Sequence, residues 1–200
     1  MEKAIQYFED EDYIKAFKAF IEIKGKRDKN YKSALFYLGY CYCHFKKYTD
    51  AEHTYLELLN STKDNDDKAL YLHQISMVKR LKQDYERALH YNQQELALRK
   101  KFYLQTPLEM ATLYYETSLI RLLEKKYDLA LESAEHALSY ANQSLDKMTL
   151  GCVCRLYGDI YLALGNKRMC RKYYENSLRS FIITGDGKAI EGIKKRIIKI

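Results

Sequence analysis

The stretch Ala34–Leu58, ALFYLGYCYCHFKKYTDAEHTYLEL, is the unit that the rest of this chain repeats. It reads as two amphipathic helices joined by a tight turn at Phe45–Thr49. The first helix carries Leu38, Gly39 and Tyr42, and the second carries Ala51 and Tyr55. Gly39 and Ala51 are small enough for the two helices to approach closely, while Tyr42 and Tyr55 fill the space around the crossing.

Aligning on the small residues extends the unit along the chain. On the first helices they are Ala4, Gly39, Ser76, Ser118 and Gly158; on the second helices they are Ala16, Ala51, Ala88, Ala130 and Cys170. Each pair is 12 residues apart. The turn before the second helix carries Tyr13, Tyr48, Tyr85 and Tyr127, with Lys167 in the fifth place. The spacing predicts five helical hairpins at about 1–24, 31–60, 68–103, 106–142 and 146–184, followed by a last helix at 188–200. The first hairpin has only a stub of its first helix, as expected of an amino-terminal cap or of a chain cut from a longer one. Thr106, Pro107 and Glu109 form a helix entry with a capping box. Gly185-Asp186-Gly187 is a natural stop before the last helix.

Leu38-Gly39-x2-Tyr42 followed by Ala51-x3-Tyr55 resembles the tetratricopeptide-repeat (TPR) pattern L-G-x2-Y…A-x3-F. Tyr157-Gly158-x2-Tyr161 and Cys170-x3-Tyr174 return to the same type, and the resemblance covers essentially the whole chain. It implies an all-α fold: a right-handed TPR-like superhelical solenoid of about five hairpins plus a C-terminal capping helix, with 1–200 as one solenoid domain. The second-helix series advances by 35, 37, 42 and 40 residues, longer than the usual TPR period of about 34. In these long hairpins the chain is similar to bacterial receptors for peptide pheromones, helical solenoids that bind short peptides. It departs from them in lacking groove-face asparagines on its first helices and an amino-terminal helix-turn-helix.

In a TPR solenoid the first helices line the concave face. That geometry places Phe36, Tyr37, Tyr40 and His44 in a groove, with His73, Gln74, Met77 and Arg80 from the third hairpin. Tyr115, Glu116 and Leu119 follow from the fourth, and Arg155 and Asp159 from the fifth. An aromatic groove with scattered polar groups suits an extended or helical peptide; the alternative is that several of these aromatics simply pack between helices. The lysine–asparagine–arginine clamp of chaperone-binding TPRs is absent. Lys79 and Arg121 stand where Tyr42 stood. They are either a polar anchor for an acidic ligand group, or an internal Lys79–Glu95 pair, or cations rotated to solvent, since a buried charge without a partner is costly.

Thirty-four basic against 27 acidic residues leave a net charge of +7. The turns of the last four hairpins are basic: Lys46-Lys47, Lys82, Lys125-Lys126 and Lys167-Arg168. They read as an ordinary solvated edge or as a cationic ridge for nucleic acid or an acidic protein. A homodimer through an exposed terminal repeat is a third expectation. The last helix, with Ala189, Ile190, Ile193 and Ile197 on one face, reads as a cap in preference to an interfacial membrane helix.

Other classes are excluded on chemistry. One proline and eight glycines in 200 residues disfavour a fold of many short strands. The five cysteines include the C-x-C pairs Cys41/Cys43 and Cys152/Cys154, whose members point to opposite sides of a helix and cannot chelate one metal. They read as reduced apolar fillers. Five histidines fall singly, and there is no phosphate loop or nucleophile motif, so no cofactor, metal or catalysis is predicted. No apolar run approaches a membrane span and Met1–Asp12 has no signal-peptide core. The sequence predicts a soluble cytoplasmic protein that binds a peptide or partner protein, within bacterial regulation or scaffolding.

Overall fold

The computed structural model describes residues 1–200 as eleven α-helices without a strand. They are α1 (Glu2–Glu9), α2 (Tyr13–Lys26), α3 (Tyr31–His44), α4 (Tyr48–Ser61), α5 (Asn65–Leu81) and α6 (Tyr85–Phe102). Then follow α7 (Pro107–Leu123), α8 (Tyr127–Ser144), α9 (Lys147–Ala163), α10 (Lys167–Thr184) and α11 (Gly187–Ile198). α1 through α10 form the five predicted hairpins. Two starts lie earlier than the spacing suggests, because a capping carboxylate sits upstream. Asp64 accepts from the backbone of Asp67 and starts α5 at Asn65; Asp186 does the same for α11 at the Ala189 N–H. At Thr106 the side chain accepts from the Glu109 N–H, while its hydroxyl donates to Glu109 Oε2 at 2.6 Å.

The hairpin turns share one backbone path. In each, the residue five places before the small residue of the second helix is left-handed: Glu11 (φ 59°), Lys46 (58°), Gln83 (63°), Lys125 (62°) and Gly165 (73°). Two backbone bonds close each turn. In the second hairpin Lys46 N–H reaches the Cys43 carbonyl at 3.0 Å and Lys47 N–H the Tyr42 carbonyl at 2.8 Å. The equivalents recur in the other four. Only Gly165 is the residue that such a helix ending usually selects.

The small residues do what their size suggests. A Cβ on Gly39 would collide with the Tyr55 ring, and one on Gly158 with the Tyr174 ring. Where the small residue is serine the crossing gains a bond: Ser76 Oγ donates to the Ala88 carbonyl at 2.9 Å and Ser118 Oγ to the Ala130 carbonyl at 2.8 Å. In the third and fourth hairpins the pair is thus a contact across its own hairpin.

The chain divides into two compact units, Met1–Phe102 and Tyr103–Ile200. In the first unit, Ala4, Ala16, Phe20, Ala34, Leu38 and Cys41 form one core cluster and Leu35, Ala51, Tyr55, Leu58, Tyr71, Ile75 and Val78 a second. In the second unit the stripe Ala130, Ala134, Ala137 and Ala141 lets α8 sit close to its neighbours, against Val153, Leu156, Tyr157 and Ile160. Cys170, Tyr174 and Phe181 meet Ile193 of α11. α11 therefore covers the last hairpin, with Ala189, Ile190 and Ile197 packed around Ile193. All five cysteines are free. Burial pushes the thiols of Cys41, Cys43 and Cys154 up to about 11, the last two against a cation nearby.

Candidate functional site

In the first unit the predicted groove residues form an aromatic patch on α3 and α5. α3 spaces Phe36, Tyr37 and Tyr40 onto one side, and all three are half-buried. Tyr37 stacks on Phe20 with ring centroids 5.0 Å apart and meets the edge of Phe8 at 5.2 Å. Tyr40 packs against Phe36 at 5.3 Å and Phe8 at 5.9 Å. These rings hold α1, α2 and α3 together, so only part of each is open. His44 is exposed and stacks on Tyr13 at 3.9 Å.

The α5 members are more deeply set. His73 Nδ1 lies 3.0 Å from Glu95 Oε2, and Glu95, only 1% exposed, also accepts from Arg99 Nε at 2.8 Å. Gln74 is 4% exposed and its Oε1 has no hydrogen-bond partner within the protein. Its amide stands against the Tyr40 hydroxyl, whose pKa burial raises and that contact opposes. Met77 and Arg80, further along α5, are half-buried.

Both anchor candidates are engaged internally. Lys79 is buried, but its partner is not Glu95: its Nζ lies 2.7 Å from Glu52 Oε1 on α4 and 3.9 Å from Asp84 Oδ2. Glu95 is taken by His73 and Arg99. Burial alone would raise the Glu52 pKa, yet the hydrogen bonds from Lys79 and Lys82 hold it below the usual glutamate value. In the second unit Arg121 Nη1 pairs with Glu124 at 3.0 Å, one turn along.

The remaining second-unit residues separate into two sets. Asp159, expected in the groove, is turned toward α10 and α11: it accepts from Tyr174 Oη at 2.6 Å and pairs with Arg196 Nη1 at 2.7 Å. Glu116 is buried and Leu119 packs on the alanine-rich core. Tyr115 and Arg155 do come together, from α7 and α9. Arg155 Nη2 reaches Tyr115 Oη at 3.5 Å and Cys152 Sγ at 3.9 Å, and its Cζ lies 6.0 Å from the Phe181 ring centroid. Phe181 is the site residue that the repeat pattern missed. Its signal is a second glycine–aromatic pair, Gly151 and Phe181, displaced by seven residues from Gly158 and Tyr174; a Cβ on Gly151 would lie 2.6 Å from the Phe181 ring.

The basic turns are exposed, but several cations in them are bound. Lys82 pairs with Glu52 at 2.9 Å, Lys126 with Glu124 at 2.8 Å, and Lys167 Nζ donates to the Ile200 carbonyl at 2.9 Å. No helix is long and apolar enough to cross a membrane, and no group of three or more His, Cys, Asp or Glu is placed to hold a metal.

No protein-family model and no curated protein matches the sequence. Solved structures do match the fold. A thermophilic TPR protein from Thermus thermophilus superposes with a TM-score of 0.71 at 17% identity, covering 100% of this chain and 97% of that one. A Rap protein complexed with competence and sporulation factor gives 0.70 at 16% identity, over 94% of this chain and 61% of that one. BtubC from P. vanneervenii gives 0.66 at 12% identity, over 94% and 87%. Together with the repeated small-residue crossings and left-handed turns, these matches give the chain an all-α, TPR-like solenoid fold.

Proposed function

We propose that this protein is a non-catalytic, cytoplasmic peptide- or protein-binding module of bacterial regulation or scaffolding, holding a peptide or partner helix on its first-helix faces. The observation that carries the reading is the patch of Phe36, Tyr40 and Gln74. Phe36 and Tyr40 are half-buried rings on α3, and the Tyr40 hydroxyl meets the amide of Gln74, whose buried Oε1 no protein group satisfies; apolar rings with a few placed polar groups are the make-up of a ligand site. Met77 and Arg80 extend the patch. The Rap protein of the same fold, solved with competence and sporulation factor, supports the reading by analogy.

Native mass spectrometry of the protein purified at low salt from its own host tests this. A peptide-mass adduct, lost in Tyr40→Ala, supports the reading. Co-purifying RNA that is lost as salt rises, with no peptide, would transfer the role to the basic turns.

A further inference from the structure

The candidate anchor cations and two of the predicted groove cations differ in their partners. Lys79 and Arg121 have carboxylate partners at 2.7 and 3.0 Å, and His73 has one at 3.0 Å. Arg155 has none within 4.0 Å, although it is half-buried. Asp159, whose charge acts on Arg155, is already shared between Tyr174 and Arg196. Of the five N–H donors of a guanidinium, only those of Nη2 are used, at the long distances of 3.5 Å to Tyr115 and 3.9 Å to Cys152. Nε and Nη1 bond to no protein group. The plane of positive charge is held beside Phe181, whose ring fills the space left by Gly151.

A guanidinium partly withdrawn from water, held beside a ring and a phenol and with no carboxylate within 4.0 Å, suits an anionic group. We infer that Arg155, with Tyr115 and Phe181 as its supports, binds a carboxylate of a peptide ligand. This inference rests on the peptide-binding reading and adds the chemistry that the ligand must carry. The Nε and Nη1 N–H groups that no protein group uses can donate charge-assisted hydrogen bonds to a carboxylate, and the Tyr115 hydroxyl supplies a further donor beside them. Lysine at this position would keep the charge and lose the fork.

The test uses affinity selection by mass spectrometry on the full chain with three pools of synthetic octapeptides. One pool has free C-termini, one has amidated C-termini, and one is amidated and lacks Asp and Glu. We expect retention from the first or the second pool and none from the third. Retention from the first alone would assign a terminal carboxylate; retention from both would assign an acidic side chain. In Arg155→Gln, retention of those same peptides should fall at least about tenfold, with Arg155→Lys between. Arg171→Gln, an equal charge change on the outer helix α10, should retain them as the wild type does. Equal retention from the third pool, or unchanged retention in Arg155→Gln, overturns this inference while the peptide-binding reading stands. Retention from no pool overturns both. Unchanged circular dichroism of the variants separates a lost contact from a lost fold.

Discussion

Lys79 Nζ lies 2.7 Å from Glu52 Oε1, and the pair joins α5 to the second helix of the hairpin before it. Lys79 is 4% exposed. The bond therefore works between hairpins, and its loss leaves an ammonium in the interior with only Asp84 at 3.9 Å. Glu52→Gln should cost about 3 kcal/mol, as when one member of a buried pair is removed. Lys79→Met should cost much less, because it removes the charge that needs a partner. Urea unfolding of the two variants compares them directly; equal losses would refute this asymmetry.

The same pair gives a pH dependence with a definite sign. The Glu52 carboxyl is held below the ordinary glutamate value of 4.5 by Lys79 and Lys82 against the opposing effect of burial. A lowered folded-state pKa contributes stability above 4.5 that fades as pH falls through the folded value. Wild type should lose this part of its stability in acid, and Glu52→Gln should not. Melting temperatures of both proteins from pH 7 down to pH 3 should converge; a constant gap contradicts the assignment.

Two helical glycines have opposite roles. Gly158→Ala would drive a methyl into the Tyr174 ring and should destabilise by about 2 kcal/mol or more. Gly192 lies inside α11, where an added Cβ would meet nothing within 4 Å, and should behave as an ordinary helical glycine. Gly192→Ala should stabilise by about 0.5–1 kcal/mol. Thermal unfolding reads both, and an unperturbed Gly158→Ala would disprove the close crossing.

The turns offer a further gain. Lys125 is exposed with φ 62°, a region costly to a side-chain-bearing residue. Lys125→Gly should stabilise by about 0.5 kcal/mol, and Gly165→Ala should destabilise by about 1 kcal/mol. Chemical denaturation midpoints that move the other way would refute the shared turn geometry.

The cysteines should be slow. With thiols pushed up to about 11 by burial, Cys41 and Cys154 stay protonated at pH 8, where the thiolate is the reactive form. Labelling with a thiol-specific disulfide reagent should be limited by unfolding at Cys41, which is fully buried. Rapid labelling there in native protein would contradict this.

Much of the fold is legible in the sequence because its determinants are local. A small residue followed 12 places later by another marks one hairpin, and both lie within a single unit of sequence. The N-caps Asp64 and Asp186 are equally local, but they lie upstream of the first apolar positions, so the hydrophobic pattern alone starts both helices late. What the sequence does not disclose is the partner choice between hairpins. Lys79 and Glu52 are 27 residues apart, and no period links them. Glu95, by contrast, meets Arg99 at the i,i+4 spacing that any helix offers. Asp159 departs from its expected place for a related reason. It follows Gly158, which packs under Tyr174, so the rotation of α9 that seats the glycine also carries Asp159 to that ring's hydroxyl. The aromatics of α3 are legible as residues, but their division between core and surface depends on Phe8, Phe20 and Tyr55, which lie on three other helices.

The five left-handed turns hold Glu, Lys, Gln, Lys and Gly at one structural position, a set with no shared side-chain chemistry. The turn is specified by backbone bonding and by the helices on either side, so the residue itself is free to drift. Turn segments should then be transplantable between hairpins: a chain carrying the Cys43–Tyr48 segment in place of Leu122–Tyr127 keeps every backbone donor and acceptor in register. Such exchange leaves the architecture intact while recolouring the surface, which is how a lineage can retain a scaffold long after its repeats have ceased to look alike.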